Sequence, residues 1–440
     1  MRENFLFGTN TVNFNHGAFG SNPIAVREAF QQFQKDFDGE PSIFVRFKTP
    51  YLLNEARSCI AELLHAPREE CVFVQNATTG IGTILHNLEF RDLDVIIYFD
   101  TMYGAIQMML ASLFERYGVQ SRKVVLQFPT THRDVLASFL ETVDSIRREG
   151  LNPRMAIFDT IVSSNAQRLP FEALTEICRK EGIQSLIDGA HSVGQIALDL
   201  SRLQPDFFVT DCHKWLFVPR ACAVLYVAMR NQHLICSTMP TSWGFIPRTG
   251  QQDIPPTMMG SFHPQMTDFE RLFHYIATGD DIPALCVPAA IKFRREVCGG
   301  EDRIHQYLHK LAVVGTDIVA ETLHTEALQE PGLQKEDISD MRRCGVGAVR
   351  LPIQVSGDSK ATNFTAPVAL LEESDVLPAM NCIWGILKDH GIWIPIHCYH
   401  NWLWVRICAQ IYLEEEDFRH LASILQEACQ QVAKVFKPAK

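Results

Sequence analysis

From about residue 70 to residue 230 the chain alternates short apolar runs rich in Val, Ile and Phe with segments of helical period. This alternation restricts the fold more than any other feature. A strand covered on both faces has no solvent side, so it reads as a continuous apolar run rather than as a period of two. Runs at 71–75, 95–99, 124–128, 155–158, 184–187, 207–210 and 223–227 fit that description, with helical patterns such as 104–117 and 171–181 between them. They predict an α/β fold: a mostly parallel sheet covered by helices on both faces.

The remainder reads differently. Residues 238–278 are dense in Pro, Gly, Met and Thr and predict a long ordered loop, a type of segment that tends to be functional. Beyond Asp280 the pattern predicts helices at 283–297 and 304–325, a strand at 348–353 and a helix at 374–390. Strands at 392–396 and 403–411 and a final helix from Glu414 complete a smaller α+β domain. The expected division is an N-terminal segment, 1–60, packing with the small domain, a large ligand-binding domain, 61–282, and the small C-terminal domain, 283–440.

Composition excludes several classes. Hydrophobic residues at 47% and charged residues at 21% rule out a disordered or fibrous chain. A net charge of −11 with no basic stripe leaves no footprint for a nucleic-acid backbone. The 13 cysteines include no Cys-x-x-Cys pair, and Cys222, Cys286 and Cys408 sit inside apolar runs, as reduced core thiols do. Met1-Arg2-Glu3-Asn4 opens no apolar leader and no apolar stretch reaches the length of a membrane span, so no membrane association and a cytoplasmic location are expected.

Chemistry gathers where strands end. Asp188-Gly189-Ala190-His191 follows one apolar run, and Asp211-Cys212-His213-Lys214-Trp215 follows the next. Both sets therefore belong on the carboxyl edge, where open α/β sheets bind ligands. A lysine among apolar neighbours loses solvation, which favours the neutral, nucleophilic amine that imine chemistry requires; taken singly, Lys214 is equally a lysine that snorkels to the surface. Gln75-Asn76-Ala77-Thr78-Thr79-Gly80 joins a strand to a helix, so backbone N–H groups and Thr hydroxyls would face an anion there, although an ordinary Asn/Thr cap reads the same way. Gly80-Ile81-Gly82 lacks the third glycine of a dinucleotide fingerprint. An anion cradle, an acid and a lysine on one edge are together the parts that hold pyridoxal phosphate (PLP).

With these residues in view, the chain resembles the class V aminotransferase-like family of fold type I PLP enzymes. The likeness is to the branch of isopenicillin N epimerase, hercynylcysteine sulfoxide lyase and fungal biosynthetic relatives, and it runs from Asn13-Phe14-Asn15-His16-Gly17 to Arg406. The resemblance implies Lys214 as the Schiff-base lysine, Asp188 as the partner of the ring nitrogen, and His191, with Ser163 as a second donor, at the phenolic oxygen. It implies Tyr103 stacked on the ring, and Ala77, Thr78 and His213 at the phosphate. Thr278, in Ala277-Thr278-Gly279, resembles an element donated by the other subunit of a homodimer. Arg406 resembles the clamp on the substrate carboxylate, and His16 is placed at the substrate entrance. No metal is implied.

Two positions depart from the branch. Residue 211 is Asp where Asn is usual near the phosphate, and an ionised carboxylate repels a dianion unless it turns away or is protonated. Ala277 stands where the family has Gly. Ala190-His191-Ser192-Val193-Gly194 is one residue from a nucleophile elbow, which offers an α/β-hydrolase using Ser192 as a rival, but that reading leaves Lys214, the cradle and Arg406 without roles. A metal site at Asp188, His191 and His213 lacks supporting spacing. The expected activity is lyase or epimerase chemistry through a Cα carbanion of an amino acid, with transamination or carbon–carbon bond formation as alternatives.

Overall fold

The computed structural model describes residues 1–248, 266–333, 337–356 and 368–436. A seven-stranded sheet forms the large domain, built from β1 (Cys71–Val74), β2 (Asp94–Phe99), β3 (Gln120–Val124), β4 (Asn152–Asp159), β5 (Gln184–Asp188), β6 (Phe207–Asp211) and β7 (Ala223–Val227). The order across the sheet is β1-β7-β6-β5-β4-β2-β3. The strands β3, β2, β4, β5 and β6 run parallel, and β7 is antiparallel to both β6 and β1.

Alternate residues of each strand enter two separate apolar layers. Ile97, Phe158, Ile187 and Phe208 join one, and Ile96, Ile157, Leu186, Phe207 and Val209 the other. The parallel run is thus covered on both faces, as its unbroken apolar strands require.

The small domain has a second sheet of β8 (Val346–Val355), β9 (Ala369–Leu371), β10 (Ile396–Tyr399) and β11 (Trp402–Cys408), in the order β10-β11-β8-β9. Helices Glu301–Leu323, Val376–Asp389 and Glu415–Val435 accompany it. The first fourteen residues reach this domain, and His16 and Gly20 meet the large domain at Trp215 and His213. Arg2 pairs with Asp417, the Phe14 ring meets Phe418 edge-on, and Cys408 N–H donates to the Phe14 carbonyl at 2.8 Å.

Several expected elements move. The strand expected at 124–128 is β3, four residues earlier; it is an edge strand whose polar Gln120, Ser121 and Lys123 are exposed, so it carries no apolar run. The strand expected at 392–396 begins at Ile396 instead. His400 and Asn401, with φ of 48° and 61°, close a two-residue hairpin that fixes its register on β11. Within the expected loop at 238–278 a helix forms at Asp268–His274, opened by a capping box between Thr267 and Glu270. Glu270 is fully buried against Arg57 and Arg68. The centre of that loop, 249–265, lies outside the described residues. The short strand β9 has no counterpart in the sequence reading.

Candidate active site

Adjacent strands β4, β5 and β6 end on Asp159, Asp188 and Asp211, which lines three buried carboxyls along one sheet edge. Asp159 and Asp188 are register partners across the β4–β5 pair. Burial pushes the Asp188 carboxyl up to about 6, against the opposing pull of the Ala190 N–H, 3.0 Å away, and of the Lys214 charge. Burial and the neighbouring Asp188 hold the Asp159 carboxyl well above the usual carboxylate range, and its Oδ2 has no hydrogen-bond partner.

Lys214 lies in the helical turn Cys212–Trp215 immediately after β6. Its Nζ is 3.0 Å from Asp211 Oδ2, while Asp211 Oδ1 accepts the Ala77 N–H at 2.8 Å. One carboxylate therefore joins the lysine to the start of the helix Ala77–Asn87. At that helix end Asn76 Oδ1 accepts the Thr79 N–H at 2.8 Å and the Gly80 N–H meets the Asn76 carbonyl at 3.1 Å. The Thr78 N–H is the one amide of the first turn that these bonds do not engage. His213 donates from Nδ1 to the Cys222 carbonyl at 2.9 Å, and its Nε2 stands 3.9 Å from Asp211 Oδ2.

His191 has a defined tautomer. Trp215 Nε1–H donates to His191 Nδ1 at 3.2 Å, so the neutral imidazole carries its proton on Nε2 and presents a donor there. Burial and the nearby Lys214 charge hold its pKa well below the ordinary value, which keeps the ring neutral. Gln195 fixes the backbone at this point: its amide donates to the His191 carbonyl and its Oε1 accepts the Gly345 N–H at 2.8 Å.

The turn that bears the lysine is clasped from three sides. Gly20 and Gly194 have φ of +66° and +89°, and a Cβ on either would stand 1.7 Å from the His213 carbonyl oxygen or 2.5 Å from that of Trp215. Arg294, fully buried, donates to the Trp215 carbonyl at 2.9 Å and the Gly194 carbonyl at 2.7 Å and is paired with Glu301.

Arg406, on β11, donates to the Ser163 carbonyl at 2.5 Å and to Asn15 Oδ1 at 2.8 Å, and its buried Nε has no partner. Ser163 is thus beside Arg406, its hydroxyl 3.4 Å from Nη1. Tyr103 caps the helix Gly104–Tyr117 and is 52% exposed. Thr278 is exposed in the segment after the helix Asp268–His274.

His16 is not where the sequence reading put it. It is completely buried among Trp215, Phe217 and Tyr412, hydrogen-bonded to the Tyr412 hydroxyl at 3.0 Å, with its pKa driven down to about 3 by burial. A ring enclosed in this way supports the lysine turn from behind and presents no face to an entrance. Ser192, the rival nucleophile, is fully buried with its hydroxyl 2.6 Å from that of Thr160, a partner that cannot serve as a general base.

Sequence reading missed Asp159, Asn15, Gln195, Arg294 and the role of Trp215. Asp159 was legible, because it ends an apolar strand just as Asp188 and Asp211 do. Nothing local marks Arg294, which sits on an ordinary helical pattern.

Residues 13–243 match the family Aminotransferase class-V, and the chain belongs to that family. The L-cysteine desulfhydrase-like protein lolT1 of Epichloe uncinata is 44% identical over 98% of this chain and 96% of its own length. The hercynylcysteine sulfoxide lyase of Schizosaccharomyces pombe is 27% identical over 98% and 97%, and the isopenicillin N epimerase of Streptomyces clavuligerus 27% over 69% and 73%. Among solved structures, a variant of C-DES with glycine covalently linked to its PLP cofactor superposes with a TM-score of 0.73 at 19% identity, covering 97% of this chain and 99% of that one. The family named by resemblance and the α/β architecture with its second, smaller sheet domain are thereby borne out.

Proposed function

We propose that this chain is a PLP-dependent lyase that eliminates a β-substituent, by C–S cleavage, from an amino-acid substrate. The observation that carries the reading is the single edge on which Lys214, Asp188 and the Trp215-oriented His191 converge. The donor set fits the cofactor: Asp159 leaves a buried carboxyl oxygen unpartnered beside Asp188, an acidic environment suited to a cationic ring nitrogen. The 44% relative, called L-cysteine desulfhydrase-like, supports the C–S assignment over the others. Bound PLP supplies an electron sink for the pair left when the substrate loses its α-proton.

The protein's part is positional and acid–base. With the cofactor bound, Asp188 would keep the ring nitrogen protonated and His191 Nε2–H would serve the phenolic oxygen. Thr78, Ala77 and His213 would hold the phosphate, and Tyr103 would lie at the ring. Lys214 Nζ, once released from Asp211, takes the proton from Cα and can return it to the leaving group. Arg406 orients the substrate carboxylate, its Nε being free to bond it. We further propose a homodimer in which Thr278 completes the partner's phosphate site, and a cytoplasmic location in keeping with 13 free cysteines among the described residues. No helix among the described residues is long and apolar enough to cross a membrane.

The test is to incubate the purified protein with cysteine, cystine and cysteine S-conjugates and to follow pyruvate, ammonia, keto acid and exchange at Cα in parallel. Pyruvate with ammonia, lost in Lys214→Ala together with the borohydride-fixed mass at residue 214, is the expected result. Inversion at Cα with solvent deuterium and no pyruvate would make the chain an epimerase. A colourless protein labelled at Ser192 by a fluorophosphonate would overturn the reading.

A further inference from the structure

We infer that Asp211 occupies, with its own carboxylate, the anion position at the start of the helix Ala77–Asn87, and that a phosphate-bearing ligand loads here by displacing it. The inference rests on reading this edge as a PLP site and concerns how that site is filled.

The groups that could neutralise an incoming anion are turned toward Asp211. Ala77 N–H donates to its Oδ1 at 2.8 Å, Lys214 Nζ is 3.0 Å from its Oδ2, and His213 Nε2 is 3.9 Å from the same oxygen. The next donors are committed elsewhere, Thr79 N–H to the Asn76 side chain and Gly80 N–H to the Asn76 carbonyl. Only the Thr78 amide of that first turn lies outside these bonds. A helix N-terminus attracts whichever anion reaches it. Here a buried carboxylate, 4% exposed and placed at the end of β6, already fills that role. A phosphate dianion approaching Ala77 and His213 meets a like charge beside the donors it needs. The same contact holds the Lys214 ammonium as an ion pair until the carboxylate swings away. Asp211 is thus a positioning residue that sets how tightly the cofactor is retained.

Asp211→Asn keeps an oxygen for the Ala77 N–H, removes the charge and releases Lys214. Cofactor-stripped protein and variant would be titrated calorimetrically with inorganic phosphate, and by visible absorbance with PLP and with pyridoxal, which lacks the phosphate. The variant is expected to bind inorganic phosphate about tenfold or more tightly than the unsubstituted protein and to gain more for PLP than for pyridoxal, which profits only from the released Lys214. Asp211→Ser is expected to act in the same direction and decides the matter if the Asn variant does not fold. Equal or weaker phosphate binding in a variant whose circular dichroism and Tm are unchanged overturns the inference, because Asp211 would then be a support of the cradle. If neither protein forms a visible band with PLP while phosphate still separates them, the cofactor reading fails and the competition at Asp211 stands.

Discussion

At the level of single residues, the Asp188 carboxyl is held near 6, above the ordinary aspartate value of 3.8, chiefly by burial beside Asp159 and Asp211. The sign follows from proton binding. Between about 4 and 6 the folded protein holds a proton that the unfolded chain has lost. The stability this group lends is therefore complete below about 4 and is lost as pH rises through 6. Asp188→Asn removes the penalty of a buried charge. In cofactor-stripped protein it is expected to raise stability at pH 7.5 by about 1–3 kcal/mol, the gap closing toward pH 4, as read by Tm across that range. The same change should lower C–S lyase turnover by ~100-fold or more, because the ring nitrogen loses its anionic partner. Equal Tm at pH 7.5 would contradict the account. The places of Asp188, His191 and Lys214 on the sheet edge could be read from the sequence because each ends an apolar strand or follows one within a few positions. Trp215 as the group that sets the His191 tautomer could not, since the donor–acceptor geometry belongs to the folded turn.

At the level of elements, the turn Cys212–Trp215 is too short to hold its own shape and takes it from Gly20, Gly194 and Arg294. Gly194→Ala places a Cβ 2.5 Å from the Trp215 carbonyl, whereas Gly182→Ala, at a comparable φ of +71°, meets nothing within 4 Å. The second substitution is expected to cost only the backbone strain, about 1–2 kcal/mol. The first should cost more and should also slow borohydride trapping at residue 214. Urea denaturation and the trapping rate check the pair together, and equal trapping in both variants would show that the clasp does not position the lysine. The displaced strands teach a related lesson. An apolar run marks a strand only where both faces are covered, so β3 at the sheet edge escaped it, and β10 was set by a hairpin turn rather than by its own composition.

For the whole molecule, Thr278 is exposed in this chain while Lys214 is only half-buried in its turn, which suits a Thr278 that serves a neighbouring copy. In the proposed homodimer, Lys214→Ala and Thr278→Asp should each be close to inactive. After subunit exchange, a mixed dimer unites an intact Lys214 with an intact Thr278 in one of its two sites, so pyruvate release should return. Failure to recover activity after verified exchange would rule out a shared site. The α/β class and the sheet edge on which Asp188, His191 and Lys214 stand were legible in the chain, because a buried strand and the residues that end it are contiguous. That Asp211 faces Ala77, Trp215 orients His191 and Arg406 reaches Asn15 emerges with the folded packing alone. These partners lie 134, 24 and 391 positions apart, and which of them meet depends on how the layers pack.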